Sequence, residues 1–265
     1  MIVHNFDPVL IDFGVIQIRW YSLAYIFGIL IGWWYGKIIL KKQVGQNNNE
    51  IYLSKFDDLI GYLIIGIIAG GRLGYVFFYD PIFYIENFLE IFKIWKGGMS
   101  FHGGLVGVAI SAYIFSIKNN LNYKIYFDTI SSVAPIGIFL GRISNFINGE
   151  LYGVPTQKAW GVVFPNIDSI PRHPSQIYEA LLEGVLLFII LNFLIFFRKN
   201  YFGFISAVFL ILYGSFRIFC EQFREPDSHI GYIFNYFTVG SLLSIGMILF
   251  GFFFLSKVIY DEKNR

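Results

Sequence analysis

Seven stretches of this 265-residue chain stay apolar for about the 20 residues a helix needs to cross the hydrocarbon layer of a bilayer. They fall near residues 20–40, 59–79, 101–117, 127–143, 177–197, 202–219 and 233–255. The fourth is broken in character by Pro135 and Gly137. A chain with seven such stretches has little freedom: hydrocarbon offers its backbone no hydrogen bonds, so each stretch is expected to be a helix that satisfies its own. Composition agrees, because hydrophobic residues make up 56% and charged residues only 14%, where a soluble domain carries roughly 25% charged residues. The expected fold is therefore an all-α polytopic membrane protein of about seven transmembrane helices, a single integral membrane domain over residues 1–265.

Several classes fall away on the same numbers. Disorder and nucleic-acid binding both need charge, and a net charge of +2 does not supply it. Cys220 is the only cysteine, which excludes a disulfide scaffold. The first stretch follows Asp7, Asp12 and Arg19 rather than a basic segment, and no small-residue cleavage pattern comes after it, so it reads as a retained helix.

Orientation follows from lysine and arginine. Eleven lie on one side: Lys37, Lys41, Lys42, Lys55, Lys118, Lys124, Arg198, Lys199, Lys257, Lys263 and Arg265. Six lie on the other: Arg19, Lys93, Lys96, Lys158, Arg172 and Arg224. Three arginines fall within spans. This bias puts the N-terminus outside and the C-terminus in the cytoplasm. The longest outer connection, 145–174, is rich in Gly, Pro and Asn and also carries Trp160 and Phe164; it reads as a small ordered cap on the outer face.

An ionisable group inside a span is expensive and marks a site until shown otherwise. Arg72, His102, Arg142, Arg217 and Glu221 all qualify. With the orientation above, each lies in the outer half of its helix, as does His173-Pro-Ser-Gln-Ile-Tyr-Glu179. One outer-facing site is the economical reading. The three arginines outnumber the two carboxylates placed among them, Glu221 and Glu179, with Glu150 standing at the edge of the set, which leaves positive charge suited to an anion, and a guanidinium fork suits phosphate. At that depth the anion is most simply a lipid phosphate. Asn145 and Asn148 supply neutral hydrogen bonds for hydroxyls. Plainer readings stand beside these: Arg217 and Glu221 have the spacing of an intrahelical ion pair, Arg72 suits a clamp on backbone carbonyls, Gly66, Gly70 and Gly74 form a helix-packing stripe, and Cys220 reads as a packing residue.

The motifs themselves, Arg19-Trp-Tyr21, Gly71-Arg-Leu-Gly-Tyr75, Ser100-Phe-His-Gly-Gly104, Gly141-Arg-Ile-Ser-Asn-Phe-Ile-Asn-Gly-Glu-Leu-Tyr-Gly153, His173 to Glu179 and Arg217 to Asp227, resemble the prolipoprotein diacylglyceryl transferase family in order and over nearly the whole chain. The resemblance implies a bacterial inner-membrane transferase with its active site toward the outer face. It would move the diacylglyceryl group of phosphatidylglycerol onto the lipobox cysteine thiol of a preprolipoprotein, forming a thioether and releasing glycerol phosphate, without cofactor or metal. Its partners would be those two substrates and membrane lipids, with no nucleic acid. Matched residue by residue, it implies catalytic roles for His102 (base for the thiol), Arg142 and Arg217. It implies substrate binding by Arg142, Tyr21, Asn145, Asn148, Glu150, Gly153 and Glu221, to which the in-span position of Arg72 adds a further candidate. Val154 stands where the family mostly has a basic residue, and Ser241 where glutamine is expected. The competing classes are an anion transporter, which needs polar residues lining a route to both faces, an intramembrane hydrolase, which needs a nucleophile elbow that the sequence lacks, and a non-enzymatic lipid-binding subunit, which would tolerate loss of His102.

Overall fold

The computed structural model describes residues 2–14, 17–45, 49–197, 201–226, 231, 233 and 236–264. Arg198, Lys199 and Arg265 of the charge pattern, and Asp227 of the last motif, lie outside them. Among the described residues, seven helices are long and apolar enough to cross a membrane. They are α1 (Trp20–Val44), α2 (Asn49–Phe78), α4 (Phe101–Lys118), α5 (Tyr123–Asn148), the continuous span Ser175–Phe197, α8 (Phe204–Glu221) and α9 (Val239–Lys263); a short α3 (Pro81–Glu86) follows α2. The span Ser175–Phe197 is composite: α6 (Ser175–Glu179), a π-helical stretch Ala180–Leu186, and α7 (Leu187–Phe197). The helical, polytopic expectation holds, with short strands added outside the spans. These are β1 (Ile2–Val3), β2 (Val9–Asp12), β3 (Gln17–Arg19), β4 (Val162–Val163) and β5 (Pro171–Arg172).

The helix ends differ from the apolar scan for readable reasons. Helix α2 begins ten residues before the expected start at Leu59, because its first turns carry Glu50, Lys55, Asp57 and Asp58; those residues fail a hydropathy test yet are compatible with helix, and Lys55 and Asp58 pair at i,i+3. Helix α9 starts six residues late, where the Thr238 side chain accepts the Ser241 N–H at 3.0 Å as an N-cap. Helix α5 runs unbroken through Pro135.

The chain forms two compact units: Met1–Ile39 with Asp128–Arg265, and Leu40–Phe127. In the second, α2 and α4 approach closely through facing glycines. A Cβ on Gly107 would lie 3.0 Å from the Gly70 Cα and closer still to the Gly66 carbonyl, and one on Gly74 would lie 2.6 Å from the Gly103 Cα. Only glycine permits that backbone contact, the small-residue packing of membrane helices.

In the first unit, α1 meets α5 at Gly28 and Gly137, where an added Cβ on Gly28 would lie 3.2 Å from the Gly137 Cα. Helices α8 and α9 pack through Gly214 and Gly251. Buried Asp128 of α5 caps the start of α8, accepting the Gly203 N–H at 2.7 Å, the Ser206 N–H at 2.8 Å and the Ser206 hydroxyl. It satisfies donors that open every helix unpaired. Strand β1 pairs in parallel with β4, which pairs antiparallel with β5, so the N-terminal residues lie against the connection that follows α5.

Candidate functional site: a buried arginine and glutamate network

Arg142 lies near the end of α5, Glu179 at the end of α6, Glu183 in the π-helical stretch, and Arg217 and Glu221 one turn apart in α8. Arg142 Nη1 is 3.0 Å from Glu179 Oε2 and its Nη2 is 3.2 Å from Glu183 Oε2. Arg217 Nη1 is 2.6 Å from Glu179 Oε1 and 3.6 Å from Glu183 Oε1, and Arg217 Nη2 donates to Glu221. Arg224, just past α8, places Nη1 3.3 Å from the same Glu179 oxygen. The Thr238 hydroxyl donates to Glu221 Oε2 at 2.9 Å. Both Glu179 and Glu183 are fully buried, whereas the Arg142 side chain keeps 13% exposure, the most open member of the set.

The expected surplus of positive charge is therefore not what these residues make. Arg224 adds a third cation and Glu183 a third carboxylate, so among the described residues the network balances three against three. Isolated ions at such burial would cost too much, and their mutual pairing makes them tolerable. Glu183 had a visible signal, a carboxylate inside an apolar span four residues after Glu179. Arg224 falls within the motif Arg217 to Asp227 but stands beyond the apolar run, where a charge is not conspicuous.

The segment after Arg142 folds onto this network. Asn145 and Asn148 both donate through Nδ2 to Glu150 Oε1, at 2.8 and 3.2 Å. Gln176, fully buried beside Glu179, donates to the Glu150 carbonyl at 2.6 Å, and Ser175 donates to the Leu151 carbonyl at 2.9 Å. The turn requires positive φ at Gly149 (66°) and, unusually for a side-chain-bearing residue, at Leu151 (57°). Gly153 donates its N–H to the His173 carbonyl at 2.9 Å and is flanked so closely by the His173 and Phe223 backbone that a Cβ would collide with both. Arg172 binds this layer together, donating to Asp168 at 2.7 Å, to Glu225 at 3.1 Å and to the Gly153 carbonyl at 3.2 Å. These bonds hold the Asp168 carboxyl below the usual carboxylate range. Burial, and then Lys158, lower the His173 imidazole from its ordinary value. His4 from the N-terminus donates to the Phe146 carbonyl at 2.7 Å, and its ring lies tilted against that of Phe164 with centroids 5.2 Å apart, a support that no local sequence pattern announces. Tyr21 at the start of α1 faces Tyr25, their hydroxyls 3.4 Å apart.

Arg72 and His102 belong to the second unit. Four backbone carbonyls take up the Arg72 guanidinium: Ile91 at 2.8 Å, Glu90 at 2.6 Å, Gly97 at 2.5 Å and Gly98 at 3.1 Å. Of its two sequence readings, this geometry is that of the carbonyl clamp, which ties down the segment between α2 and α4. His102 occupies the first turn of α4, just after the Ser100 cap, whose hydroxyl accepts the Gly103 N–H at 3.2 Å. The ring lies edge-on to Phe101.

Residues 8–257 match the family model described as prolipoprotein diacylglyceryl transferase. A curated phosphatidylglycerol–prolipoprotein diacylglyceryl transferase of Rickettsia typhi is 47% identical over 262 residues, 97% of this chain and 99% of the relative. Its namesake from Rickettsia felis is 48% identical over 255 residues, 96% of this chain and 97% of the relative.

Proposed function

Because the chain belongs to the prolipoprotein diacylglyceryl transferase family, we propose that its buried network is the grip on the phosphate of phosphatidylglycerol, with Arg142 and Arg217 as the gripping groups. The chain is a multi-pass membrane transferase that passes the diacylglyceryl group of phosphatidylglycerol to a prolipoprotein, the first step of lipoprotein maturation. The acceptor is the lipobox cysteine, the membrane is the bacterial inner membrane, and the site faces outward beneath a cap formed by residues 145–174. Lysine and arginine bias supports the N-terminus outside and the C-terminus in the cytoplasm.

The reaction is a displacement at the glycerol carbon. A sulfur–carbon bond forms, the carbon–oxygen bond to phosphate breaks, and the electron pair leaves with glycerol phosphate. Negative charge grows on the departing phosphate, where preplaced guanidiniums in a water-poor site stabilise it most. The attacking species is the thiolate, and His102, on its match to the family's histidine, takes the thiol proton. Asn145, Asn148 and Glu150 suit hydroxyls of the headgroup, Gly153 keeps the turn that carries them, Tyr21 lends a further hydroxyl, and Glu221 orients Arg217. For Arg72 the carbonyl clamp is the better-supported role.

The observation that carries this reading is that Arg142 and Arg217, from different helices, share Glu179 and Glu183. The test is to incubate purified protein with phosphatidylglycerol and a lipobox peptide and to look for a diacylglyceryl thioether by mass spectrometry. The product is expected from the unaltered chain and from Cys220→Ala. Arg142→Gln and Arg217→Gln are each expected to lose at least about 100-fold, and normal turnover in either would refute the grip. Near-normal rates for His102→Gln would move the base elsewhere.

A further inference from the structure

The grip on phosphate meets a difficulty of charge. Arg142, Arg217 and Arg224 already face Glu179, Glu183 and Glu221, and a phosphodiester brings one more negative charge. Set against a balanced network deep in the protein, that charge would stand uncompensated. One carboxylate has to yield.

The three are not held alike. Glu179 receives all three guanidiniums, at 3.0, 2.6 and 3.3 Å. Glu221 receives Arg217 and the Thr238 hydroxyl. Glu183 has only Arg142 at 3.2 Å and Arg217 at 3.6 Å; one oxygen of each of Glu179 and Glu183 accepts no hydrogen bond among the described residues, so it is the number and closeness of the cations that sets Glu183 apart. The titratable and charged groups acting on it are Arg142 from α5, Arg217, Tyr213 and Cys220 from α8, and Glu179 on its own helix. Fully buried and most weakly paired, it loses least by becoming neutral.

We propose that Glu183 takes up one proton when the phospholipid phosphate docks and thereby releases Arg142 to the phosphate. Carboxylate and proton become carboxylic acid, so three cations then face two carboxylates and one phosphodiester, and the balance is restored. Glu183 is a positioning residue in this scheme, acting on the substrate through Arg142. The inference rests on the proposed grip.

The test is phosphatidylglycerol binding to the purified protein in nanodiscs of neutral lipid, measured from pH 6 to 9, a range over which the phosphodiester keeps its single charge. Uptake of one proton makes the unaltered protein's affinity fall as pH rises, by up to about tenfold per unit. Glu183→Gln, a neutral isostere, is expected to bind at least as tightly as the unaltered protein does at its best pH, and without pH dependence. Infrared difference spectra of the unaltered protein are expected to gain a carboxylic-acid carbonyl band on lipid addition, and this measurement stands even if the variant folds poorly. Binding with a flat pH response, an unchanged slope in Glu183→Gln, or no carbonyl band would overturn the inference alone. No binding at any pH, or full binding by Arg142→Gln, would overturn the grip itself.

Discussion

Glu179 carries three guanidiniums on one fully buried carboxyl group. Removing it takes a carboxylate from Arg142, Arg217 and Arg224 at once, leaving Arg142 with Glu183 and Arg217 with Glu221 and Glu183, and a broken buried pair costs about 3–5 kcal/mol. Glu179→Ala is therefore expected to unfold at markedly lower temperature in detergent, and more severely than Glu221→Ala, whose loss takes a carboxylate from Arg217 alone and leaves it Glu179; equal or negligible shifts would contradict the shared-partner geometry. At this scale the sequence was informative wherever charge interrupted an apolar run, as at Arg142, Arg217 and Glu221. Glu183 is equally visible by that rule, although it stands one turn beyond the motif that ends in Glu179. Partners that depend on the chain folding back were not legible. Arg224 reaches Glu179 across 45 positions and His4 reaches Phe146 across 142, and no local pattern announces either.

Helices α2 and α4 depend on their glycines at the level of whole elements. Gly107→Leu would drive a side chain into the Gly66 and Gly70 backbone; overpacking of that kind costs about 1–3 kcal/mol or more and should lower the thermal midpoint, while Gly61→Leu, which has open space around its Cβ position, should leave it nearly unchanged. The layer over the network responds to acid. His173 is held neutral by burial, so the stability tied to it is complete above about pH 6.5 and declines as pH falls below that value. Asp168, held ionised by Arg172, adds stability above about pH 4 that is lost on further acidification. Hydrogen exchange across residues 153–173, corrected for intrinsic rates, should show more opening at pH 5.5 than at 7.5, and His173→Gln should remove most of that difference. Unlike the short strands and α3, the seven spanning helices were legible from hydropathy alone. Their ends were set by terms hydropathy does not see: charged but helical first turns in α2, the Thr238 cap in α9, and the π-helical stretch after Glu179, for which no residue pattern gives warning.

At the scale of the molecule, the seven helices that are long and apolar enough, among the described residues, to span a bilayer were readable directly because hydrocarbon leaves the backbone few alternatives. The proposed orientation has its own check: a reporter active only in the cytoplasm, fused after the last residue, should be active, and one active only outside should be silent. The balanced network changes how the chemistry is understood, since a site built as a cationic pocket would bind any anion, whereas a compensated one must be opened by its ligand. Whether Arg142 and Arg217 hold a lipid phosphate is read most directly by native mass spectrometry of delipidated protein titrated with phosphatidylglycerol. A saturable one-to-one complex is expected in the unaltered protein and little or none in Arg142→Gln and Arg217→Gln. Equal retention of the lipid by all three proteins would contradict the grip.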